Sequence, residues 1–354
     1  MKRFKSIVLV AVAVLLGAVY VLPAAPAAAQ SSASMSIVPK KNYVIEPGKS
    51  VKDTLIIRNL DSAQPLQLSL RVVDFTFTDD GGTPKLMIAD DAPQTTWSLR
   101  PFLNTPNSVT IEPGASKTIN IEVKIPAKQG AGSYYSAIVY SSGASAGGNV
   151  GLSASGVTLV FASVPGQVKE NLVLKKFGAY DSNTAATGSS GYMFLTDKEP
   201  QSLAYTLENG GNVTESPVGS ITLKDMFGHE RTINNVNPSG SLALIGQTRT
   251  YTACIKLAAQ EVDFQGSKTT TNACTSAGLW PGYYHATLDL FYGQNGNNTQ
   301  EVTGVASFWY LPLWFVIVVV VVLLGAAYVV WRIVNKVREM LYGPGHKKSL
   351  RRRK

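Results

Sequence analysis

Residues 118–125 read TINIEVKI, and this stretch sets the fold class because apolar and polar side chains alternate along it without interruption. Ile119, Ile121, Val123 and Ile125 would lie on one face, and the intervening polar residues would lie on the other. A period of two is typical of a β-strand with one buried face. The stretch therefore predicts a strand that covers a hydrophobic core.

Strands of the same kind are predicted on both sides of this stretch, separated by turns rich in Pro, Gly, Asn and Asp. No stretch before residue 309 shows the 3.6-residue period of an amphipathic helix. The chain up to that point is therefore predicted to be all-β. The other predicted strands are residues 51–58, 66–73, 133–140, 157–164, 172–177, 202–207, 219–224, 247–256 and 283–292.

A boundary near residues 165–170 divides this all-β part into two halves. Seven or so short strands per half, with frequent turns, predict two tandem immunoglobulin-like β-sandwiches, residues 30–168 and 169–307. In both halves a Gly precedes Tyr at the start of a late strand, which is typical of a tyrosine corner, and we assign corner or core roles to Tyr134 and Tyr283. The Gly/Ser-rich residues 141–156 predict a flexible loop or a long hairpin.

The chain has two cysteines, Cys254 and Cys274, and both lie in the second half. In an exported protein such a pair usually forms a disulfide. The second half is longer than the first between corresponding turns and tyrosines, and the excess coincides with the segment between the cysteines. We therefore predict that a disulfide closes the base of an insertion. Two free thiols or a zinc half-site are the alternatives, but no His or further Cys lies at ligand spacing.

Residues 311–331 read LPLWFVIVVVVVLLGAAYVVW and contain no charged side chain. At 1.5 Å per residue, a helix of this length matches the hydrocarbon core of a bilayer. Trp and Tyr lie near both ends, where amphipathic rings prefer the headgroup level. The segment predicts a single-pass transmembrane helix, residues 308–332. A buried core helix is the alternative, which the length and the Val/Ile density disfavour.

The two ends of the chain predict its topology. Residues 1–29 have the basic start, apolar middle and A-x-A ending of a signal peptide, with cleavage expected before Gln30 and a retained signal anchor as the alternative. Residues 333–354 form a basic tail, which the positive-inside rule places in the cytoplasm. We therefore expect a cell-membrane protein with an extracellular ectodomain.

The formal net charge of +9 lies in these terminal segments, with +3 in the first five residues and +8 after residue 331. This leaves −2 for the residues between them. The basic charge therefore sets the topology and contacts anionic headgroups, and we expect no nucleic-acid partner.

Side chains that could carry catalysis are sparse. The residues before the apolar segment include two histidines: His229 in a turn-like sequence and His285 at a strand position. No nucleophile elbow, H-E-x-x-H motif or phosphate loop is present in the sequence. We expect no enzyme activity, no cofactor and no metal. Trp97 and Trp280, in loop-like sequence near Pro, are the candidate ligand contacts.

The order of these parts resembles that of the WxL-interacting proteins of bacterial cell surfaces. The resembling residues include Ile37-Val38-Pro39, Glu46-Pro47-Gly48, the approach from Lys124 to Tyr140, the run from Leu203 to Gly211 and the run from Ile221 to Gly228. The segment 74–86 resembles another family region but lacks its Thr-Asn pair, and the insertion between the cysteines departs from the family pattern. The resemblance implies a peptidoglycan-binding first domain and a host-binding second domain.

Three hypotheses follow for the function. The first is a non-enzymatic surface protein that binds cell-wall polymer (peptidoglycan), a surface protein partner, or both. The second is a structural or accessory subunit of a membrane adhesin or secretion assembly. The third, a hydrolase of wall glycans, is disfavoured by the lack of catalytic motifs. The sequence leaves the oligomeric state open.

Overall fold

A computed structural model describes residues 35–77, 84–89, 91–142, 154–186, 188, 190–264, 267–293 and 299–342. Several predictions lie outside the described residues: the signal peptide, most of the Gly/Ser-rich segment 141–156, and the tail after residue 342. The described chain is mostly β and ends in one long apolar helix.

The described residues of the first half form ten strands and one 3-10 turn, Arg100–Phe102. In β8 (Ser116–Lys124) the predicted alternation is confirmed, since Ile119, Ile121 and Val123 are buried while the residues between them lie outside. The strands are β1 (Met35–Ser36), β2 (Lys40–Val44), β3 (Ser50–Asn59), β4 (Leu66–Phe77), β5 (Pro84–Met87), β6 (Leu103–Asn104), β7 (Ser108–Ile111), β8 (Ser116–Lys124), β9 (Gly132–Ser142) and β10 (Ala154–Val164).

These strands form two sheets. One has the order β1-β3-β8-β6, and the other has the order β2-β10-β9-β4, with β5 and β7 both paired to β4. Every pairing is antiparallel except that of β2 with β10. Apolar residues from both sheets meet in a single core, which includes Leu55 and Ile121 from one sheet and Leu68, Ile138 and Val160 from the other.

In the second half the described residues form eleven strands and a five-residue helix, α1 (Ser182–Ala186), which the sequence did not predict. The carboxylate of Asp181 caps this helix by accepting from the Asn183 N–H at 3.0 Å and the Thr184 hydroxyl at 2.7 Å. The strands are β11 (Leu172–Tyr180), β12 (Tyr192–Met193), β13 (Leu195–Thr196), β14 (Ser202–Asn209), β15 (Val218–Asp225), β16 (Glu230–Asn234), β17 (Thr248–Cys254), β18 (Leu257–Phe264), β19 (Ser267–Cys274), β20 (Gly282–Tyr292) and β21 (Gln300–Tyr310).

Two sheets again enclose a core, with the orders β12-β11-β14-β17 and β13-β21-β20-β15-β16. The second half also has one parallel pair of strands, β13 and β21. It corresponds to the parallel pair β2 and β10 of the first half. The two halves therefore share an architecture, as the sequence suggested.

The predicted insertion is a separate two-stranded hairpin, β18 and β19. Cys254 ends β17, Cys274 ends β19, and the two are joined by a disulfide. The disulfide thus closes the base of the hairpin, as predicted. In the chain-entropy account, closing a loop of about this size contributes about 3 kcal/mol to stability.

The predicted start of the membrane segment at residue 308 is wrong. Phe308 is fully buried in the second core, and Trp309 and Tyr310 pair with both β13 and β20. The last strand therefore ends at Tyr310, and the long helix, α2, spans Leu313–Tyr342. It continues past residue 332, so the start of the predicted tail is helical.

Candidate functional site

A polar groove of about 550 Å³ lies on the outer face of the first half. Lys52 and Thr54 of β3, Asn104 of β6, and Asn120 and Glu122 of β8 present outward side chains to it, whereas Asp53 and Ile121 alternate with them on the core side of their strands. The lining therefore combines amides, hydroxyls and both signs of charge. Its residues are Lys52, Asp53, Thr54, Asn104, Thr105, Asn120, Ile121 and Glu122.

Asp53 borders this groove from the core side of β3, between the outward residues Lys52 and Thr54. Its Oδ2 atom accepts from the Lys41 ammonium at 2.8 Å and from the Tyr43 hydroxyl at 2.7 Å, and its Oδ1 atom accepts from the Thr54 N–H at 2.7 Å. These hydrogen bonds, those of Lys41 and Tyr43 foremost, lower the pKa of Asp53 to about 2. The carboxylate is therefore ionised and oriented at neutral pH.

The two halves meet in an apolar joint that has its own cluster of buried side chains. Phe75, Tyr135 and Phe161 come from the first half, and Leu244 and Ile245 come from the second. The rings of Phe75 and Tyr135 lie 5.2 Å apart, and those of Phe75 and Phe161 lie 5.9 Å apart. Leu244 and Ile245 belong to the same buried cluster as these rings, so apolar side chains of both halves form one core at the joint.

Trp97 lies in this joint. Its ring stacks on Tyr135 at a centroid distance of 6.2 Å, and its side chain is half-buried. A Cβ at Gly246 of the second half would lie 3.8 Å from the Trp97 ring. The structure therefore places this predicted ligand contact between the halves.

Polar contacts surround the joint. Arg249 lies 4.8 Å from the centroid of the Phe77 ring across the halves, and the Phe77 N–H donates to Gln247 Oε1 at 3.4 Å. The Ser133 N–H donates to the Asn212 carbonyl at 3.0 Å, and the Thr214 N–H donates to Ser133 Oγ at 3.0 Å. Asn212, the first residue of a glycosylation sequon in the sequence, is thus part of the joint.

Both halves contain a tyrosine corner. The Tyr134 hydroxyl donates to the Gly130 carbonyl at 2.9 Å, as predicted. In the second half the corner is formed by Tyr284, whose hydroxyl donates to the Trp280 carbonyl at 2.6 Å. The assignment of this role to Tyr283 is therefore wrong; its ring instead lies against Trp309, 5.1 Å away.

Trp280 is the second predicted ligand contact, and its side chain is 65% exposed. Its loop is fixed by Glu199, whose Oε1 atom accepts from the backbone N–H groups of Ala277 at 2.8 Å and Leu279 at 2.9 Å. Oε2 accepts from the Ser276 hydroxyl at 2.5 Å. A small groove of about 220 Å³ beside Trp280 contains Asp225, His229, Glu230 and Arg231.

Burial acts to raise the pKa of Glu199, but the hydrogen bonds from Ser276 and the loop N–H groups outweigh it and lower that pKa from its ordinary value. The loop is therefore held by an ionised carboxylate at neutral pH. Sequence reasoning missed Glu199, because its partners lie almost eighty positions further along the chain.

The two histidines lie as predicted. His229 is exposed in the turn between β15 and β16, with its Nδ1 atom 2.8 Å from Asp225 Oδ2. His285 is exposed on β20, next to the buried Ala286, and its Nδ1 atom lies 3.1 Å from the Ser307 hydroxyl. In the described part of the chain, no group of three or more His, Cys, Asp or Glu side chains could hold a metal ion.

Two buried acids were also missed. Asp74 is 1% exposed and accepts from the hydroxyls of Ser98 at 2.6 Å and Ser136 at 2.9 Å, which ties the segment before the 3-10 turn to β4 and β9. Glu215 is also 1% exposed, and its Oε1 atom has no hydrogen-bond partner among the described residues. For Asp74, its position inside an apolar strand was the signal in the sequence that could have indicated a buried acid.

Comparison with known proteins gives no family. No family model matches the chain, and no curated protein matches it. A chain of a chaperone–tip adhesin complex of CFA/I fimbriae biogenesis is similar at a TM-score of 0.36 and 12% identity, with 77% of this chain and 98% of that chain covered.

Two further solved structures are similar to a comparable degree. For the class 5 fimbriae chaperone CfaA, the TM-score is 0.35 at 13% identity, over 79% of this chain and 100% of that one. For the E. coli chaperone DraB, the TM-score is 0.31 at 12% identity, over 79% and 98%. Similarity at this level carries no argument about function.

Proposed function

We propose that this chain is a non-enzymatic cell-surface protein, anchored in the cell membrane by α2, with two immunoglobulin-like β-sandwiches outside the membrane, of which the first binds cell-wall polymer. The anchor is supported by the composition and exposure of α2. The helix is long and apolar enough to cross a bilayer, with a mean hydropathy of 3.0, and the span is not buried against the β-rich part. A core helix of a soluble protein would be mostly buried, so the lipid bilayer is the environment that fits these side chains.

The polar groove of the first half is the observation that supports polymer binding. Peptidoglycan carries hydroxyl, acetamido, carboxylate and amine groups, and the groove offers amide, hydroxyl, carboxylate and ammonium partners for each of them. The groove is open, so a long polymer can lie across it. The resemblance to WxL-interacting proteins, whose first domain binds peptidoglycan, points to the same ligand.

A sedimentation assay tests this proposal. The full chain, purified in detergent, is mixed with purified peptidoglycan sacculi and centrifuged, and the bound fraction is measured against protein concentration. We expect the chain to sediment with the sacculi. The double variant Asn104→Ala/Asn120→Ala, which removes two exposed amides from the groove, should weaken binding about tenfold, because each lost hydrogen bond is worth about 0.5–1.5 kcal/mol.

The matched control is Asn234→Ala/Asn272→Ala, which removes two exposed amides from the second half. This control should bind as the unaltered chain does. If the unaltered chain stays in the supernatant, polymer binding is refuted. Equal weakening by both double variants would show that the groove is not the binding site.

A second candidate, an accessory subunit that binds a surface protein, is favoured by one observation. Strand β16 is the edge of its sheet, and in the described residues its only partner strand is β15. Its other edge therefore presents unpaired backbone groups, to which a partner strand can add. Purification of the chain from its native membrane in mild detergent distinguishes the candidates, because a subunit should retain a stoichiometric protein partner.

A further inference from the structure

Strand register identifies the end of the second half that lies next to α2. Strand β21 ends at Tyr310, and residues opposite this end are Gly282 on β20 and Thr196 on β13. Asp225, the last residue of β15, pairs with Tyr284 and so lies at the same end. We call this end of the sheet the α2-proximal end.

Large apolar side chains are exposed at the α2-proximal end. Phe194 and Leu195 belong to the segment that pairs with Trp309, Met226 and Phe227 form the turn after Asp225, and Trp280 precedes β20. We call these five residues the apolar rim: Phe194 67%, Leu195 61%, Met226 56%, Phe227 61% and Trp280 65% exposed.

The rim differs from the rest of the described surface before α2. Elsewhere the exposed large hydrophobics are mainly single Val, Ile and Leu residues, and Phe291 is the one exposed aromatic residue at the opposite end of the sheet. Single apolar side chains scattered over a protein surface are normal, whereas five large exposed ones at a single end of a sheet indicate an interaction surface.

The rim is presented by ordered loops. The carboxylate of Asp225 accepts from the N–H groups of Phe227 and His229, both at 2.9 Å, which fixes the turn. Glu199 fixes the Trp280 loop through Ala277 and Leu279. The side chains are therefore held outward by structure that is formed before any partner arrives.

The connection to α2 limits how far the rim can be from the bilayer. Two residues, Leu311 and Pro312, separate β21 from the first residue of α2, so the Tyr310 and Leu313 Cα atoms are at most roughly 11 Å apart. The Leu311 N–H also donates to the Thr196 carbonyl at 2.9 Å, which keeps the connection against β13. The headgroup layer itself is about 5–7 Å thick.

We propose that the apolar rim inserts into the headgroup layer of the membrane that α2 spans, so that the lipid surface is the second half's docking partner. This inference rests on the proposed membrane anchor. Trp and Phe prefer the bilayer interface, where apolar rings leave water while nearby polar groups stay hydrated. The groove beside Trp280 carries both signs of charge, which suits zwitterionic headgroups.

A depth measurement on the full chain tests the proposal. Both native cysteines are in the disulfide, so Phe227→Cys introduces a single thiol for an environment-sensitive fluorophore. The labelled chain is reconstituted into phosphatidylcholine vesicles, with and without lipids that carry a quencher just below the headgroup. The control is Ser239→Cys, in the exposed turn after β16, at the end of that strand away from α2.

We expect the quencher to act about threefold more strongly on the label at position 227 than on that at position 239, since only the former would enter the headgroup layer. Adding Phe194→Ser and Trp280→Ser should reduce this quenching. A second reporter, Met226→Cys, serves if Phe227→Cys does not fold. Equal quenching at positions 226 or 227 and 239 would overturn the proposal.

Flotation of the same samples distinguishes a failure of the rim to dock from a failure of the membrane anchor. If the chain floats with the vesicles but the label at position 227 is not quenched, the membrane anchor stands and the docking of the rim is refuted. If the chain does not float, the anchor is refuted and the docking proposal falls with it.

Discussion

The hydroxyl of Tyr284 donates a hydrogen bond to the carbonyl oxygen of Trp280, 2.6 Å away and four residues earlier in the chain. Tyr134 and Gly130 have the same relationship in the first half. Each hydrogen bond links a buried tyrosine to the backbone just before β9 or β20. These two strands therefore begin in the same way in the two halves. In the second half the bond also fixes the loop that exposes Trp280.

We predict that Tyr284→Phe lowers the free energy of unfolding by about 1 kcal/mol, because the Trp280 carbonyl loses its donor while the ring remains packed on Phe308. Thermal unfolding of the full chain in detergent measures this change. Tyr283→Phe is the matched control, since no hydrogen bond of its hydroxyl contributes to the corner, and it should leave the unfolding temperature unchanged. If Tyr283→Phe lowered the unfolding temperature more than Tyr284→Phe, the assignment of the corner to Tyr284 would be contradicted.

Tyr283 and Tyr284 show what the sequence could predict and where the assignment of the corner failed. The Gly–Tyr pattern indicates a corner in each half, but Gly282 is followed by two tyrosines. Strand parity distinguishes them, because Tyr284 shares the inward face with Ala286 and Leu288, which are buried. The corner could therefore have been assigned correctly from alternation alone.

Other features were not accessible from local patterns. Residues 308–310 continue directly into the apolar run of α2, and strand and membrane segments draw on the same residue types, so composition hides the end of β21. Likewise, nothing near Trp97 indicates that its ring stacks on Tyr135 in the joint. Contacts between distant segments fix such positions, and a single sequence does not show them.

A second prediction concerns the Trp280 loop. Glu199→Ala removes the acceptor of the Ala277 and Leu279 N–H groups, so these amides should exchange hydrogen at least about tenfold faster. Hydrogen exchange followed by mass spectrometry measures this difference. Asp197→Ala, which removes an exposed acid two residues away, should leave the exchange unchanged.

The same loop should respond to acid. Because the pKa of Glu199 is lowered in the folded state, its stabilisation is present above the unfolded pKa of about 4.5 and is lost as the pH falls through the lower folded value. Protection of these amides relative to Glu199→Ala should therefore decrease as the pH falls below 4.5 and the carboxylate becomes protonated. Protection that does not change as the pH falls would contradict this role.

A third prediction tests the joint between the halves. A Cβ at Gly132 would lie 2.7 Å from the Asn212 carbonyl oxygen, and the Gly132 φ of +150° disfavours other residues. Gly132→Ala should therefore destabilise the protein by about 1–3 kcal/mol and separate the unfolding of the two halves. Calorimetry of the full chain should show a single transition becoming two.

Gly130→Ala is the control for the joint. Its Cβ would meet only the Tyr134 hydroxyl, at an ordinary distance of 3.9 Å. This variant should unfold as the unaltered chain does. An unchanged transition in Gly132→Ala would show that the backbone contact with Asn212 does not hold the halves together.

The last prediction concerns Glu215, whose backbone pairs with Ala243 next to the joint. Burial, and secondarily the charge of Glu170, raise the pKa of the Glu215 carboxyl to about 8. The folded state therefore keeps the proton while the unfolded chain releases it near pH 4.5. The contribution of Glu215 to stability is complete below about pH 4.5, declines as the pH rises to about 8, and is constant above that.

Glu215→Gln retains the shape of the protonated side chain and cannot ionise. At pH 4.5 the variant and the unaltered chain should unfold at nearly the same temperature. At pH 8.5 the variant should unfold at a temperature about 10 °C higher, since a pKa raised from 4.5 to about 8 corresponds to about 5 kcal/mol and each kcal/mol to at least about 2 °C. Glu230→Gln, at an exposed position, should show no such divergence with pH. A constant difference between Glu215→Gln and the unaltered chain from pH 4.5 to 8.5 would mean that Glu215 is already ionised in the folded state, because only a carboxyl that stays protonated can make the stability fall across this range.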